Sequence, residues 1–437
     1  MKKQIIAAGA GHGALSAAIT LASNGYEVTI YEKCSEKDIG HDWVDSIDIT
    51  SFDFAGIARP PKYICERPLQ MSFTNPSKTV QVVIPERPAD GPSIYIDRKG
   101  LLKHLISEAK KAGVKFVFRA SVCGAVTAGD EVVGIRIDDG GKEKVVFADL
   151  VIDSAGVNSP VRRSLPQKFN IVNEISTDDM ISTFRAYYDK KDDTMLDPPY
   201  AVHLYHMGRP GMDWVMTKGK CVDLFLGKFA PFEEGEIDAA LADFREEYPF
   251  IGDELLRGGS VEMIPIRSTL PKIVCNGYAA IGDCAGMTVP LKGSGIDLSL
   301  KAGKLLAGAV MATGDKRFST ENLWSYQYRY FTMFGSKLML IDAVRGFLRN
   351  LNPATVDYFL ESKLISDKEI EMTGGDVSVT VRYILSKLKT ALPKANELLP
   401  SLVSALRNGV RRAHAAEEIP VVYTEKAFSE WAEKYEN

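Results

Sequence analysis

Gly9, Gly11 and Ala14 stand in the stretch IIAAGAGHGALSAA, residues 5–18, at the spacing G-x-G-x-x-A. Small residues so spaced let a chain turn sharply and bring its backbone against a pyrophosphate. The first glycine permits the turn, the second permits the approach, and the third small residue lets the next helix lie on the strand. Gly13 sits in the same turn. Gln4 to Ala8 predict a short buried strand, and the alanine-rich run from about Gly13 to Ser23 predicts a helix whose N-terminus points partial positive charge at phosphates. Asn24-Gly25 ends that helix. YEVTIYE then predicts a strand ending in Glu32, whose carboxylate can accept hydrogen bonds from ribose hydroxyls. His12 is expected to face solvent or the loop after Glu32, with a phosphate contact as the alternative.

A second glycine element lies far downstream, in NGYAAIGDCAGMTVPLKGSGIDLSLKAGKLLAG, residues 276–308. Tyr278 to Ile281 predict a strand, Gly282-Asp283 lie at its end, and a loop with Pro290, Gly293 and Gly295 leads into a helix. A carboxylate at a strand end can bind the hydroxyls of a ribityl chain. A glycine loop at a helix N-terminus can aim N–H groups at negative charge developing on the N1/O2 edge of a flavin. A simple NAD dehydrogenase has no use for this element, so the pair points to FAD.

Together, GAGHGALSAA…YEK, in which Lys33 follows Glu32, and IGDCAGMTVPLKGSGI resemble the FAD-binding fold of p-hydroxybenzoate hydroxylase and its relatives. Within that superfamily the chain is most similar to the geranylgeranyl reductase family, over nearly its whole length. The resemblance implies an FAD-contacting Arg98 in YIDRKGLLKHLISEAKKAGVKF and a contact at Val122 in ASVCGAV. It also implies roles for Asp283, Gly295 and Ile296. LVIDSAGVNSPVRRSL looks like the family's middle motif, with Ala155-Gly156 in place of the usual Asp-Gly, and LWSYQYRYFTMFGSKLMLIDAVRGFLRNL looks like its helical C-terminal region. Two departures stand out. The family's Tyr-x-Trp-x-Phe-Pro strand reads GMDWVMTKGKCVDLFLG here, keeping Trp214 but placing Met212, Met216 and Thr217 at the other positions. The loop after Glu32 reads DIGHDWVDS and lacks the Cys-Gly pair of relatives. The resemblance therefore implies fold and cofactor, but not a polyprenyl substrate.

These motifs must be positioned by a chain of 437 residues, long enough for two to three domains, with 45% hydrophobic residues and a net charge of −4. That balance does not mark a nucleic-acid binder. The six cysteines form no C-x-x-C pair, so a zinc ribbon or a locally ligated iron–sulfur cluster is not expected, nor is any other metal site. Scattered cysteines and no run of about 20 apolar residues fit a cytoplasmic chain.

The expected fold class is α/β, a Rossmann-type FAD-binding domain with an antiparallel-sheet substrate domain and a C-terminal helical region. The FAD-binding domain is assigned to residues 1–60, 96–165 and 266–330. The substrate domain takes 61–95 and 175–265, and the helical region 331–437, ending in a polar tail after about residue 415. A hairpin is expected around Asp139-Gly140-Gly141. The basic amphipathic stretch 387–416 is expected to cap the fold with a solvated face; its alternative is a peripheral contact with an anionic membrane.

Flavin chemistry asks the protein for a large, mostly apolar surface over the cofactor with few polar handles. Trp43, Tyr205, Trp214 and Met216 are candidates for that surface, each competing with ordinary core packing. His203 and Tyr205 are expected to share one strand face, which makes Tyr205 a candidate proton donor; His41, beside Asp42 and Trp43, is the other. Three functions compete. They are reduction of carbon–carbon double bonds in a lipophilic small molecule, monooxygenation of an aromatic or polyketide, and quinone-linked electron transfer. No second nucleotide turn is visible, so the electron donor is either NAD(P)H at a surface groove or a reduced carrier.

Overall fold

The structure is a computed structural model describing residues 3–88, 91–138, 140–372 and 393–436. Its centre is β1 (Gln4–Ala8), in which Ile5, Ile6, Ala7 and Ala8 are all buried, as a strand covered on both faces requires. The sheet around it runs β18 (Val274–Cys275), β19 (Tyr278–Ala280), β12 (Leu150–Asp153), β1, β2 (Glu27–Glu32), β8 (Lys115–Phe118). Its pairs are parallel except β18 with β19. The helix His12–Ser23 packs on the helix Ile296–Thr313, and Gly303 makes that approach possible: a Cβ there would lie 2.5 Å from the Gly13 carbonyl oxygen.

Three other sheets surround this one. β9 (Ser121–Ala128), β10 (Glu131–Asp138) and β11 (Glu143–Phe147) form an antiparallel sheet, with Gly140 and Gly141 at positive φ in the expected hairpin; residue 139 lies outside the described residues. The large sheet runs β17 (Ile251–Pro265), β13 (Met180–Lys190), β16 (Cys221–Lys228), β15 (Gly211–Lys218), β14 (Tyr200–Leu204), β5 (Met71–Thr74), β6 (Gln81–Val83). The last sheet joins β3 (Val44–Asp48) and β4 (Cys65–Glu66) on either side of β7 (Ser93–Asp97). It thus pairs strands from stretches assigned above to different domains.

The large sheet has two apolar faces. On one, Val215, Leu224 and Leu226 pack against Phe244 of the helix Glu236–Glu247. That helix interrupts what the sequence suggested was strand alone. On the other, Met216 packs with Val44 and Tyr95 of the small sheet, and Leu69, Tyr200 and Trp214 join the cluster.

The C-terminal region departs from expectation at its end. Residues after 415 are not a polar tail: Glu425–Glu436 is a helix that buries Phe428, Trp431 and Tyr435. Tyr435 Oη donates to the Thr269 carbonyl at 2.8 Å. The helix Pro393–Glu417 packs on Ser336–Arg349 and buries Leu402, Leu406, Ala413 and Ala416. Residues 387–392 of the basic stretch lie outside the described residues. Among the described residues no helix is long and apolar enough to cross a membrane.

Candidate active site

The glycine turn is built around the end of β12. Gly9 has φ +86°, and a Cβ on Gly11 would lie 2.3 Å from Ser154 Oγ. The second glycine is therefore required by Ser154 as well as by any phosphate. The tight helix approach expected at Ala14, itself fully buried, falls instead on Gly13, whose Cβ would lie 2.6 Å from the Ile281 side chain. Glu32 ties the turn together: Oε2 accepts from Ala10 N at 2.9 Å and Oε1 from Cys34 N at 2.8 Å. Lys33 beside it is exposed, and Val122 is half-buried on β9, where Ala120 N donates to the Glu32 carbonyl at 3.0 Å.

The second glycine element follows β19. Gly282 has φ +72° and opens a short 3₁₀ turn, Gly282–Ala285, that presents Asp283. Among the described residues no protein group donates to the Asp283 carboxylate, and burial pushes its carboxyl above the ordinary range, with Arg98 and His41 pulling the other way. Pro290 is buried and Gly293 has φ +64°. Gly295, whose Cβ would lie 3.0 Å from Thr288 Cγ2, leads into Ile296, the buried first residue of the long helix.

His12 does not face solvent. It is buried towards the loop after Glu32, its Nε2 has no partner, and burial together with the charge of Arg98 holds it well below the usual histidine range. In that loop His41 stacks on Trp43, with ring centroids 4.3 Å apart, and its Nδ1 lies 3.4 Å from Glu262. Trp43 is buried and its Nε1 donates to Asp45 at 3.2 Å. Asp45 is the hub of the site. Arg98 Nη1 donates to it at 2.6 Å and Arg185 Nη1 at 3.4 Å. Burial opposes ionisation of Asp45, but the two guanidiniums outweigh it and hold the carboxyl below the ordinary range.

Arg185 carries the connection into the large sheet. From β13 it makes a two-pronged pair with Asp223 of β16, at 2.9 and 2.5 Å, and its guanidinium lies 5.2 Å from the ring centre of Trp214. Trp214 stacks on Phe225 at 3.7 Å and meets Tyr200 edge-on at 5.4 Å. Thr217, where the resemblance implies a proline, uses its backbone N–H to donate to the Pro199 carbonyl at 2.8 Å. The structure therefore brings His41, Trp43, Arg98, Asp283, Trp214 and Met216 into one continuous region.

Tyr205 does not join them. The strand ends at Leu204, Tyr205 takes φ +51°, and its hydroxyl donates to the Leu348 carbonyl at 2.8 Å. It shares no strand face with His203 and its proton is committed. His203 lies on the other side of the sheet, against Tyr248, while His206 bridges Asp213 and Asp243 at 2.8 and 2.7 Å.

The sequence reading missed Asp45, Arg185, Asp223 and Tyr95. A signal was available for the middle two. An arginine in MISTFRAYY and an aspartate in CVDLFLG are lone charges among apolar strand residues, the pattern of a buried pair.

Residues 2–211 match the FAD binding domain family. The digeranylgeranylglycerophospholipid reductase of Methanocaldococcus jannaschii is 25% identical over 409 residues, spanning 90% of this chain and 98% of that one. The protein of the same name from Methanothrix thermoacetophila is 24% identical, spanning 80% and 88%. Among solved structures, a geranylgeranyl bacteriochlorophyll reductase-like protein from Thermoplasma acidophilum superposes with a TM-score of 0.73 at 19% identity, over 92% of this chain and 99% of that one. The chain is an FAD-dependent oxidoreductase, similar over most of its length to reductases of geranylgeranyl lipids. A flavin-dependent brominase shares the fold at a TM-score of 0.60 and 15% identity, over 90% of this chain and all of that one.

The residues of this flavoprotein fit its cofactor. His12 Nε2 and Arg98 Nε are buried polar atoms without protein partners, and Asp283 is a half-buried carboxylate to which no described protein group donates. Such groups are costly unless a ligand completes them.

Proposed function

We propose that this protein reduces carbon–carbon double bonds in an isoprenoid-type lipid. The observation that carries the reading is the Asp45 junction, which joins Arg98 at the nucleotide end to Arg185 beneath the Trp214–Met216 face. An apolar wall and a cofactor site are thereby held in one rigid arrangement, as transfer to a greasy, unactivated substrate requires. The names of the archaeal relatives support the lipid class.

In this reading Gly9, Gly11, Gly13 and Ala14 shape the pyrophosphate turn and Glu32, Lys33 and Val122 border the adenosine half. Arg98, Asp283, Pro290, Gly293, Gly295 and Ile296 hold the ribityl and ring portions. When bound, FAD supplies a hydride equivalent from its N5. The chain's own residues then have three tasks. Trp43, Trp214 and Met216 exclude water and hold the alkene. The Asp45–Arg98 pair fixes the edge of the cofactor site. The carbon that does not take hydride must take a proton, and we assign its delivery to His41, which stacks on Trp43 and has Glu262 3.4 Å from its Nδ1. Met212 and Met216, where relatives have other residues, reshape the wall, because methionine fills irregular space. The preferred lipid is accordingly more compact than a plain geranylgeranyl chain.

The deciding experiment is anaerobic. The flavin is reduced with dithionite, and geranylgeranyl lipids and compact enones are offered side by side. Re-oxidation with formation of a saturated product supports the reading. Turnover that occurs only with oxygen, giving a hydroxylated product, replaces it with monooxygenation. Rapid saturable reduction by NADH would identify the donor as a nicotinamide and exclude a dedicated carrier.

A further inference from the structure

Two donors in the apolar cluster above the Arg185–Asp223 pair have nothing to bond to. The Tyr95 side chain is 7% exposed and its hydroxyl finds no acceptor; Trp214 Nε1 is likewise buried and unpartnered. Both residues pack with Val44 and Met216 in the cluster between the small sheet and the large one. Two donors left without acceptors in one apolar patch cost stability unless something completes them. Neither is used by the protein's own network, in which Arg185 serves Asp223 and Asp45, and Arg98 serves Asp45. The surrounding charge also matters. Of the cations that act on Tyr95, Arg185 is committed to Asp223 and Asp45, and Arg87 is exposed and donates to Ser93 at 2.6 Å, so the buried patch holds no free guanidinium to clamp a phosphate.

We propose that Tyr95 Oη and Trp214 Nε1 form a donor pair for an uncharged oxygen of the substrate, a carbonyl, ether or hydroxyl. The substrate class is then a lipid with a neutral oxygen near its reducible bond, rather than a bare hydrocarbon or a chain recognised by its diphosphate. The proposal rests on the reading of this site as a lipid reductase pocket and adds a specificity rule to it. A site built to hydrogen-bond an oxygen rejects the analogue lacking it, because the buried donors are then left unpaired.

The test uses the full-length FAD-loaded protein in dilute detergent and three matched probes. These are geranylgeraniol, the same chain with hydrogen in place of the hydroxyl, and geranylgeranyl diphosphate. Binding is read from the perturbation of the flavin spectrum. The wild type is expected to bind geranylgeraniol about tenfold or more tighter than the hydrocarbon, and tighter than the diphosphate. Tyr95→Phe should lose most of that preference while hydrocarbon affinity and FAD content stay unchanged; Trp214→Phe, at a residue of the wall itself, should lose the preference whatever it does to hydrocarbon affinity. Equal binding of alcohol and hydrocarbon to the wild type, absence of saturable binding, or a preference that survives both substitutions overturns the proposal. Tighter binding of the diphosphate overturns its neutral-oxygen rule. A rise in FAD Kd with the preference intact reassigns the donors to the cofactor and overturns it too. The reductase reading fails separately, if the preference holds but no probe re-oxidises the reduced flavin.

Discussion

Two side chains carry distinct tasks that substitution can separate. Asp283 is half-buried without a protein donor among the described residues, so in the proposed reading a polyol hydroxyl is its partner and it takes no part in the chemistry. Asp283→Ala should raise the FAD Kd by roughly tenfold or more, the worth of one hydrogen bond to a charged acceptor. Turnover at saturating FAD should change little. Flavin fluorescence titration and steady-state rates on the same sample measure both, and an unchanged Kd with lost turnover would refute the assignment. His41 should show the opposite pattern. His41→Gln keeps a polar side chain but cannot deliver the proton, and the expected loss is about a hundredfold in kcat, the scale of general-acid catalysis. FAD absorbance should stay intact. A primary solvent isotope effect that disappears in the variant would identify the step.

Elements contribute stability at places the motifs do not mark. Trp431 of the last helix is 3% exposed, donates to the Ala415 carbonyl at 2.7 Å and meets Phe331 edge-on at 5.1 Å. Trp431→Ala should cost about 3–5 kcal/mol, seen as a lower urea midpoint at unchanged slope. Beneath the helix Glu236–Glu247, burial pulls the His203 ring down to about 4. The unfolded chain therefore binds a proton between about pH 6.5 and 4 that the folded chain refuses, and stability falls as pH drops through that window. Asp243 and Glu247, held below the ordinary range although burial alone would raise them, act in the same direction at lower pH. His203→Gln should flatten the dependence of Tm on pH between 6.5 and 4. These elements also show what was legible. The first strand, turn and helix were readable because all their determinants lie within some thirty consecutive residues. The end of β14 was not: Tyr205 and Met207 leave the strand at positive φ with no glycine until Gly208. The two missed helices did carry a signal. Ile237, Ala240, Leu241 and Phe244, and likewise Phe428, Trp431 and Tyr435, are spaced for one helix face. The Asp45–Arg185–Asp223 chain draws each member from a separate strand, so no local pattern could join them.

At the scale of the molecule, Asp45 is where the nucleotide half and the large sheet are coupled by charge. Asp45→Asn leaves Arg98 and Arg185 without a shared counter-charge. Asp45 is one-quarter exposed, so the cost should be nearer 1–2 kcal/mol than the 3–5 of a fully buried broken pair. It should fall on both partners at once, raising the FAD Kd and the substrate KM together. An effect on only one of them would show that the two halves are independent. The strand order has another outcome, one of timing. β1 leaves the ribosome before the other strands of its sheet, yet its neighbours include β12, about 145 residues later, and the sheet is completed only by β19. The hairpins of the large sheet, close in sequence, can pair as they emerge. The apolar β1 and its helix must wait, at about 5–20 residues per second, for roughly 7 to 30 seconds before the first of those later partners exists. During translation the nascent chain should therefore lean on holding chaperones through its cofactor half rather than its substrate half, and ribosome-bound chains halted before residue 150 should be captured by them most strongly.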